Sequence, residues 1–292
     1  FCALHANTDT NENVAIGNYA LKSNDNTNTV GIGFKALCAN TTGANNTAVG
    51  TNSLDGNTTA SNNTSIGKSS LGANTTGSSN TAVGKDALLA NTTGADNTAV
   101  GNQAGDSVTT GTTGTYVGGY SGQSVTSGNG TYIGKNAGYN ATTGVNNVAV
   151  GLSAGNDIFN ITDHSNRIVL SNNSATNAYI KIDWTVTSDE RDKMNFEEVP
   201  HGLDFVNQLK PVSFIFKKSR ENPTPHGDKK YGFKAQDILA LEGDNNVIID
   251  NENDEHLKVT NSHLIPVLVN AIQELTDQNK EMKVEIELLK NK

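Results

Sequence analysis

The chain has 292 residues, long for one domain, yet only 35% of them are apolar and 5% aromatic. That falls short of the ~45–50% apolar content of globular chains, so a single close-packed core through the whole length is excluded. Disorder expects high charge, but only 17% of residues are charged; the net charge of −9 disfavours non-specific binding to nucleic acid or to an anionic membrane, and no apolar run approaches the ~20 residues of a spanning helix.

Composition changes near residue 156. Residues 1–155 hold 25 of the 29 glycines, five lysines and no arginine, whereas all five prolines lie beyond them. Two different solutions to folding are therefore joined in one chain. The opening Phe1-Cys2-Ala3-Leu4 lacks the basic start and apolar run of a signal peptide. It aligns with Phe34-Lys35-Ala36-Leu37, so the chain is expected to begin inside a repeat and to continue a longer protein.

A glycine closes a short β-prone run at Gly17, Gly33, Gly50, Gly67, Gly84, Gly101, Gly118, Gly134 and Gly151, in steps of 16 or 17 residues. Before each stands Ile or Val, as at Ile16, Val49 and Val100, and two positions earlier Val or Thr, as at Val14, Thr47 and Thr98. This is period 2: both side chains face one side of a strand, and the residue between them, often Ala48, Ala82 or Ala99, faces the other. Four residues past the glycine stand Leu21, Leu37, Leu54, Leu71 and Leu88, replaced later by Gly105, Gly122, Gly138 and Gly155. The two sub-blocks must pack that corner differently. Asn-Thr-Thr-Gly segments at 40–43, 74–77 and 91–94 supply turn chemistry.

A 17-residue unit cannot bury its own face, but stacked copies can. Residues 1–155 are expected to form a β-solenoid or β-roll with one coil per repeat; nine repeats in phase weigh against a disordered Asn/Thr/Gly-rich linker. The pattern, as in Thr47-Ala48-Val49-Gly50, resembles the Asn-x-x-Ala-Ile-Gly repeats in β-roll heads of trimeric autotransporter adhesins and shaft segments of phage tail fibres. Asparagines are expected to hydrogen-bond along the stack. Cys2 and Cys38 occupy different repeat positions, so free thiols are expected, and two cysteines define no metal site. Asp55, Asp86, Asp96 and Asp106 are scattered without a paired-carboxylate pattern, so no glycan-cleaving site, metal or cofactor is expected.

Arg167–Leu170 and Ala178–Thr187 read as strands. Then comes Ser188-Asp189-Glu190-Arg191-Asp192-Lys193. Alone, it also reads as a helix start, because Thr187 and Glu190 have capping-box spacing. Beyond it follow a helical run at Leu203–Leu209, a strand at Pro211–Phe216, the segment Tyr231–Asp237, strands near 247–250 and 257–260, and a long C-terminal helix.

This order resembles the C-terminal intramolecular chaperone of phage endosialidases, tailspikes and tail fibres. The family motif Ser-Asp-x-Arg-x-Lys is matched at Ser188, Asp189, Arg191 and Lys193, with Asp192 where the family often has an apolar residue. Gly-x-x-Ala-Gln-Asp/Glu is matched at Gly232, Ala235, Gln236 and Asp237, and Ala-Ile-Gln-Glu-Leu at Ala271–Leu275. The resemblance implies self-cleavage: Ser188 attacks the carbonyl carbon of Thr187, with Lys193 as base. A serine hydroxyl needs such a base. A solvated lysine, with a pKa near ~10.4, is neutral in only about one molecule in ~10³ at pH 7, and burial raises that fraction. Cutting is therefore expected to require a folded, desolvated site. His201, His226, His256 and His263 offer no Ser-His-Asp spacing and are expected to be structural or solvated.

Ile265, Leu268, Ile272, Leu275, Asn279, Met282, Ile286 and Leu289 step by three and four, the a and d positions of a coiled coil, with Asn279 as a register device. Ile at a with Leu at d favours two strands on peptide rules; the resemblance implies three. A helix packed on its own domain is the remaining alternative.

The expected organisation is a repeat shaft at 1–155, a β connector at 156–187, a chaperone domain at 188–263 and a coiled coil at 264–292. It is a mostly β repeat followed by a small α+β domain, assembled as a homotrimer. The expected function is that of a virus tail-fibre or adhesin-like shaft whose chaperone drives trimerisation and then cuts itself off between Thr187 and Ser188. Its expected place is the virion or an extracellular surface, after assembly in the host cytoplasm, with a glycan or protein receptor on the host surface, no nucleic acid and no membrane insertion. Two alternatives stand beside it. One is a cell-surface or membrane-linked protein that uses the same domain to release another module. The other is a polysaccharide depolymerase whose catalytic part lies upstream.

Overall fold

The computed structural model describes residues 3–6, 11–127, 129–156, 161–181, 185–243 and 246–291. The chain divides into two compact units, Phe1–Ala175 and Thr176–Lys292.

In the first unit each β-branched run becomes one short strand: β1 (Val14–Ile16), β2 (Val30–Ile32), β3 (Thr47–Val49), β4 (Thr64–Ile66), β5 (Thr81–Val83), β6 (Thr98–Val100), β7 (Thr115–Val117), β8 (Gly130–Ile133), β9 (Asn147–Val150) and β10 (Ile168–Leu170). They form one parallel sheet in chain order, in strict register, with Thr47 opposite Thr64 and Ile133 opposite Val150. This is the stacked β-solenoid that the repeat implies. The strand β10, inside the stretch read from sequence as connector, adds a tenth rung by pairing Ile168 with Val148. At the other end Leu4 donates its N–H to Ala20 O as Leu21 does to Ala36 O, so residue 4 sits in the column that the alignment with Leu37 assigns it.

The middle residue of each strand faces inwards. Ala48, Ser65, Ala82 and Ala99 are completely buried, and so are Tyr116 and Tyr132. The β-branched residues on either side are half-buried or exposed. Buried amides fill much of the rest. Asn40, Asn57, Asn74 and Asn91 each donate Nδ2–H to the Oδ1 of the asparagine one coil earlier, at 2.5–3.0 Å. A second column runs in the same direction through backbone donors: the N–H groups of Asn63, Asn80 and Asn97 donate to the Oδ1 of Asn46, Asn63 and Asn80 at 2.9–3.0 Å. An unpaired buried amide costs roughly 1–3 kcal/mol, so each ladder holds its coils in phase, and the expected asparagine stacking is present.

The corner after each strand has one backbone shape and two fillings. Leu21, Leu54 and Leu88 are held at φ of 50°, and Gly105 and Gly122 at 58°. The left-handed conformation costs an ordinary residue roughly 1–2 kcal/mol, which full burial of a leucine, about 1.5–3 kcal/mol, offsets. Leucine occupies the corner where the strand centre is small. Glycine takes over where a bulkier side chain fills that space: a Cβ on Gly122 would lie 2.3 Å from Tyr116 Cδ1, one on Gly138 2.6 Å from Tyr132 Cδ1, and one on Gly155 2.7 Å from Ile161 Cδ1. The two sub-blocks thus exchange volume between strand centre and corner.

The second unit comprises α1 (Leu203–Gln208), β11 (Val212–Lys217), β12 (Pro225–Gly232), α2 (Ala235–Glu242), β13 (Ile249–Asp250), β14 (Lys258–Val259) and α3 (Leu264–Lys290). The strands β11 and β12 form one antiparallel hairpin, and β13 and β14 another. Its core is Phe205, Ile238, Ile248, Ile249, Leu264 and Val267. The half-helical joints are polar: the buried Glu242 carboxylate accepts N–H bonds from Val247, Ile248 and Ile249 at 2.7–3.0 Å, and Glu274 accepts the Leu203 N–H at 2.7 Å. Pro266 lies in the first turn of α3, where no intrahelical N–H is needed.

Two sequence readings change. The run Ala178–Thr187 forms no strand among its described residues (182–184 lie outside them). Tyr179, Ile180 and Val186 are exposed, and among the described residues no strand pairs with them. The strand β12 was not foreseen because Pro-His-Gly-Asp-Lys-Lys-Tyr-Gly has no apolar alternation. Cys38 is a free thiol; Cys2 lies outside the described residues. No described helix is long and apolar enough to cross a membrane.

The volume exchange is testable by thermal unfolding. Gly122→Leu should lower stability by about 1–3 kcal/mol through overpacking against Tyr116, although its backbone already suits leucine. Adding Tyr116→Ala should recover at least about half of that loss rather than deepen it with a cavity. Additive losses would show that the corner and the strand centre do not share one space.

Candidate functional site

The segment after Thr187 makes one tight turn. Asp189 caps a three-residue 3-10 turn, Glu190–Asp192. Its carboxylate accepts the Arg191 backbone N–H at 2.9 Å and the guanidinium at Nε (3.0 Å) and Nη2 (2.5 Å). Those guanidinium bonds first, and the backbone N–H second, hold the Asp189 carboxyl below the usual carboxylate range. The Lys193 N–H closes the turn on Glu190 O at 3.1 Å. The capping-box alternative is therefore not what forms: Asp189 rather than Thr187 is the cap, and no α-helix follows.

Folding the chain back at this turn brings the ends of the hexapeptide together. Lys193 Nζ donates to Ser188 Oγ at 2.6 Å. An amine at this distance can take the hydroxyl proton once it is itself neutral. Both side chains are exposed. Among the described residues, nothing supplies the desolvation that the chemistry calls for.

The other motif residues lie elsewhere in the unit. Gly232 ends β12, where a Cβ would come 3.1 Å from Phe214 Cε1. Gln236 and Asp237 stand in the first turn of α2, where a carboxylate favours the helix dipole. They mark the β12–α2 junction, and no described hydrogen bond joins them to Ser188 or Lys193. His201 stacks on Phe205 with ring centroids 4.2 Å apart, and His263 Nδ1 lies 2.8 Å from Val247 O, which fits the packing role expected of histidines here.

The helix α3 carries two stripes. Leu264, Val267 and Ala271 are buried in the unit's own core. The heptad residues Ile265, Leu268, Ile272, Leu275, Met282, Ile286 and Leu289 are all exposed, Ile272 at 63%, and Asn279 Nδ2 bonds back to Leu275 O at 2.8 Å. The heptad stripe is therefore not the one that packs on the helix's own unit. Sequence reasoning missed Glu242 and Glu274, the carboxylates that tie α2 and α3 to their neighbours. Their partners are backbone N–H groups, which leave no side-chain pattern to read.

The turn makes a direct prediction for self-cleavage. Asp189→Ala removes the acceptor for Arg191 and should slow any cutting at Ser188 by about 10- to 100-fold, the usual penalty for a reacting group displaced by about 1 Å. Because the Asp189 carboxyl is held low, its ion pair persists above the ordinary carboxylate range and opens only as pH falls through the lowered value. An undiminished rate in Asp189→Ala, measured by intact mass against time, would show that the turn does not position the serine.

No curated protein and no solved structure matches the chain. Residues 188–247, which begin at the serine of the Ser188–Lys193 contact, match the model of a peptidase family described as the chaperone of endosialidase.

Proposed function

We propose that the second unit is an intramolecular chaperone that gathers three copies of the chain through α3 and then cuts the Thr187–Ser188 bond, leaving the solenoid as a fibre shaft. The observation that carries this reading is the 2.6 Å contact of Lys193 Nζ with Ser188 Oγ, at the first residue of the family match. In the proposed step neutral Lys193 takes the hydroxyl proton, and Oγ adds to the Thr187 carbonyl carbon. The C–N bond breaks as the proton passes to the departing nitrogen, giving an ester between Thr187 and the Ser188 side chain. Water then hydrolyses the ester, yielding a Thr187 carboxylate and a free Ser188 amine.

The exposed heptad stripe on α3 supports assembly of copies, since packing on its own unit uses other residues. Three copies follow from the family resemblance. The exposure of Ser188 and Lys193 couples the two events: the amine leaves water only when another copy covers it, so cutting waits for assembly. A shaft built this way belongs on a virion or an extracellular surface, where it meets a glycan or protein receptor of the host.

Intact-mass spectrometry and sedimentation on the full chain test this together. Wild type should yield a Ser188–Lys292 fragment, while Ser188→Ala and Lys193→Ala stay full length and still assemble. Ile272→Asp with Ile286→Asp should neither assemble nor cut. A wild-type sample that is trimeric and uncut at neutral pH would sink the proposal.

A further inference from the structure

Four side chains near the start of the solenoid form a cluster that stacking does not require. Tyr19 and Phe34, on consecutive coils, meet edge to face with ring centroids 6.3 Å apart. Lys22 Nζ lies over the Tyr19 ring at 5.4 Å, and Lys35 Nζ over the Phe34 ring at 5.5 Å. The corner that holds Phe34 and Lys35 carries Thr51-Asn52 and Lys68-Ser69 on the next two coils, so the coil accepts small polar residues there. The cluster faces water: Phe34 is 42% exposed, and Lys22 and Lys35 are exposed. Farther along, Lys85 is paired with Asp86 at 3.1 Å. Among the described residues no carboxylate forms such a pair with Lys22 or Lys35. The mounting is rigid: the Lys35 N–H donates to Asn18 O at 3.0 Å, and Leu21 and Leu37 beside the cluster are completely buried.

We infer that this cluster binds an acidic saccharide, a uronic-acid-type unit of a surface polysaccharide; the inference gives a chemical class to the receptor in the reading above and rests on it. A single exposed aromatic ring is ordinary on a protein surface. Two rings in contact, each with an ammonium over it, offer two chemistries together. A pyranose ring has an apolar face of C–H groups that packs on an aromatic ring, and rim hydroxyls that the Tyr19 hydroxyl can bond. Its carboxylate accepts from lysine N–H donors, and charge makes those bonds the strong ones. The rings also restrain the lysines: an ammonium drawn to a ring face has less side-chain freedom left to lose when an anion arrives. A neutral sugar leaves the ammoniums without a counterion, and an anion with no apolar face leaves the rings in water. Nucleic acid shares the ring-plus-anion chemistry, but tracking a phosphate backbone takes a run of cations. Two lysines on a chain of net charge −9 do not supply one.

Titration calorimetry on the full chain tests this with four probes. Oligogalacturonate has ring and carboxylate, maltooligosaccharide the ring alone, polyglutamate the carboxylate alone, and oligothymidylate stands for nucleic acid. Oligogalacturonate should bind at least about tenfold more tightly than any other, and more weakly as salt rises, because exposed charges are screened. Lys22→Gln with Lys35→Gln, and separately Phe34→Thr, should each weaken that binding at least about tenfold, whereas Lys68→Gln should change it less than about twofold. Each of the first three replacements is a residue that another coil already carries at that position, namely Gln123, Gln103 and Thr51, so the coil folds with them and thermal unfolding should not move. Equal affinity for any other probe, binding untouched by these variants, or no binding of oligogalacturonate overturns the inference. None of these results touches the shaft reading, which stands or falls on cutting and assembly in the same sample.

Discussion

The repeat depends on one constraint: many of the polar groups buried in a coil find partners in a neighbouring coil. The backbone N–H of Thr58 reaches Thr75 O and that of Thr75 reaches Thr92 O, while the Asn57 and Asn74 amides bond across the same interval. Each bond demands that two coils superimpose, so phase is kept over ten strands: the step is 16 or 17 residues as far as β9 and 20 from β9 to β10. The closing glycines obey the same demand. A Cβ on Gly50 would lie 2.4 Å from Gly67 O, at a φ of 140° that side chains rarely adopt. Where the amide column gives way to buried Val108 and Val125, Asn91 Oδ1, the last in its ladder, accepts no hydrogen bond. The rings of Tyr116 and Tyr132 are buried in the same stretch.

Much of this was legible in the sequence, because nine repetitions multiply a signal that one strand of three residues could not carry. Which side of the strand faces in was not. Period 2 separates Thr47 and Val49 from Ala48, and the usual preference would bury the branched pair. The narrow coil reverses it: corner leucines such as Leu54 occupy the interior, and only a small residue fits opposite them. The exchange of Leu88 for Gly105 showed that packing changes there, but not that Tyr116 is the compensating volume.

In the second unit the motif residues Ser188 and Lys193 were visible, and their spacing of five is closed by a turn that Asp189 and Arg191 make through side chains two residues apart. Their exposure was not visible, since it depends on what lies over them in space. The hairpin of β11 and β12 was half-read for a similar reason: Val212–Lys217 has β-prone residues, whereas its partner is held by cross-strand pairing. The heptads of α3 were legible, but the buried stripe at Leu264, Val267 and Ala271 lies between them and declares itself only once α1 is packed against it.

A common logic runs through both units. A coil needs the next coil, the α3 stripe is uncovered in one chain, and the Ser188–Lys193 pair is in contact yet still in water. The central claim is that copies of the chain complete what one chain leaves open, with bond cleavage as the reporter. The direct measurement is the half-time of cutting in freshly refolded wild type across a wide range of chain concentrations. The account predicts that the half-time shortens as concentration rises, levelling off once assembly is faster than chemistry. The same half-time at every concentration, in samples that sediment as single chains, would contradict it.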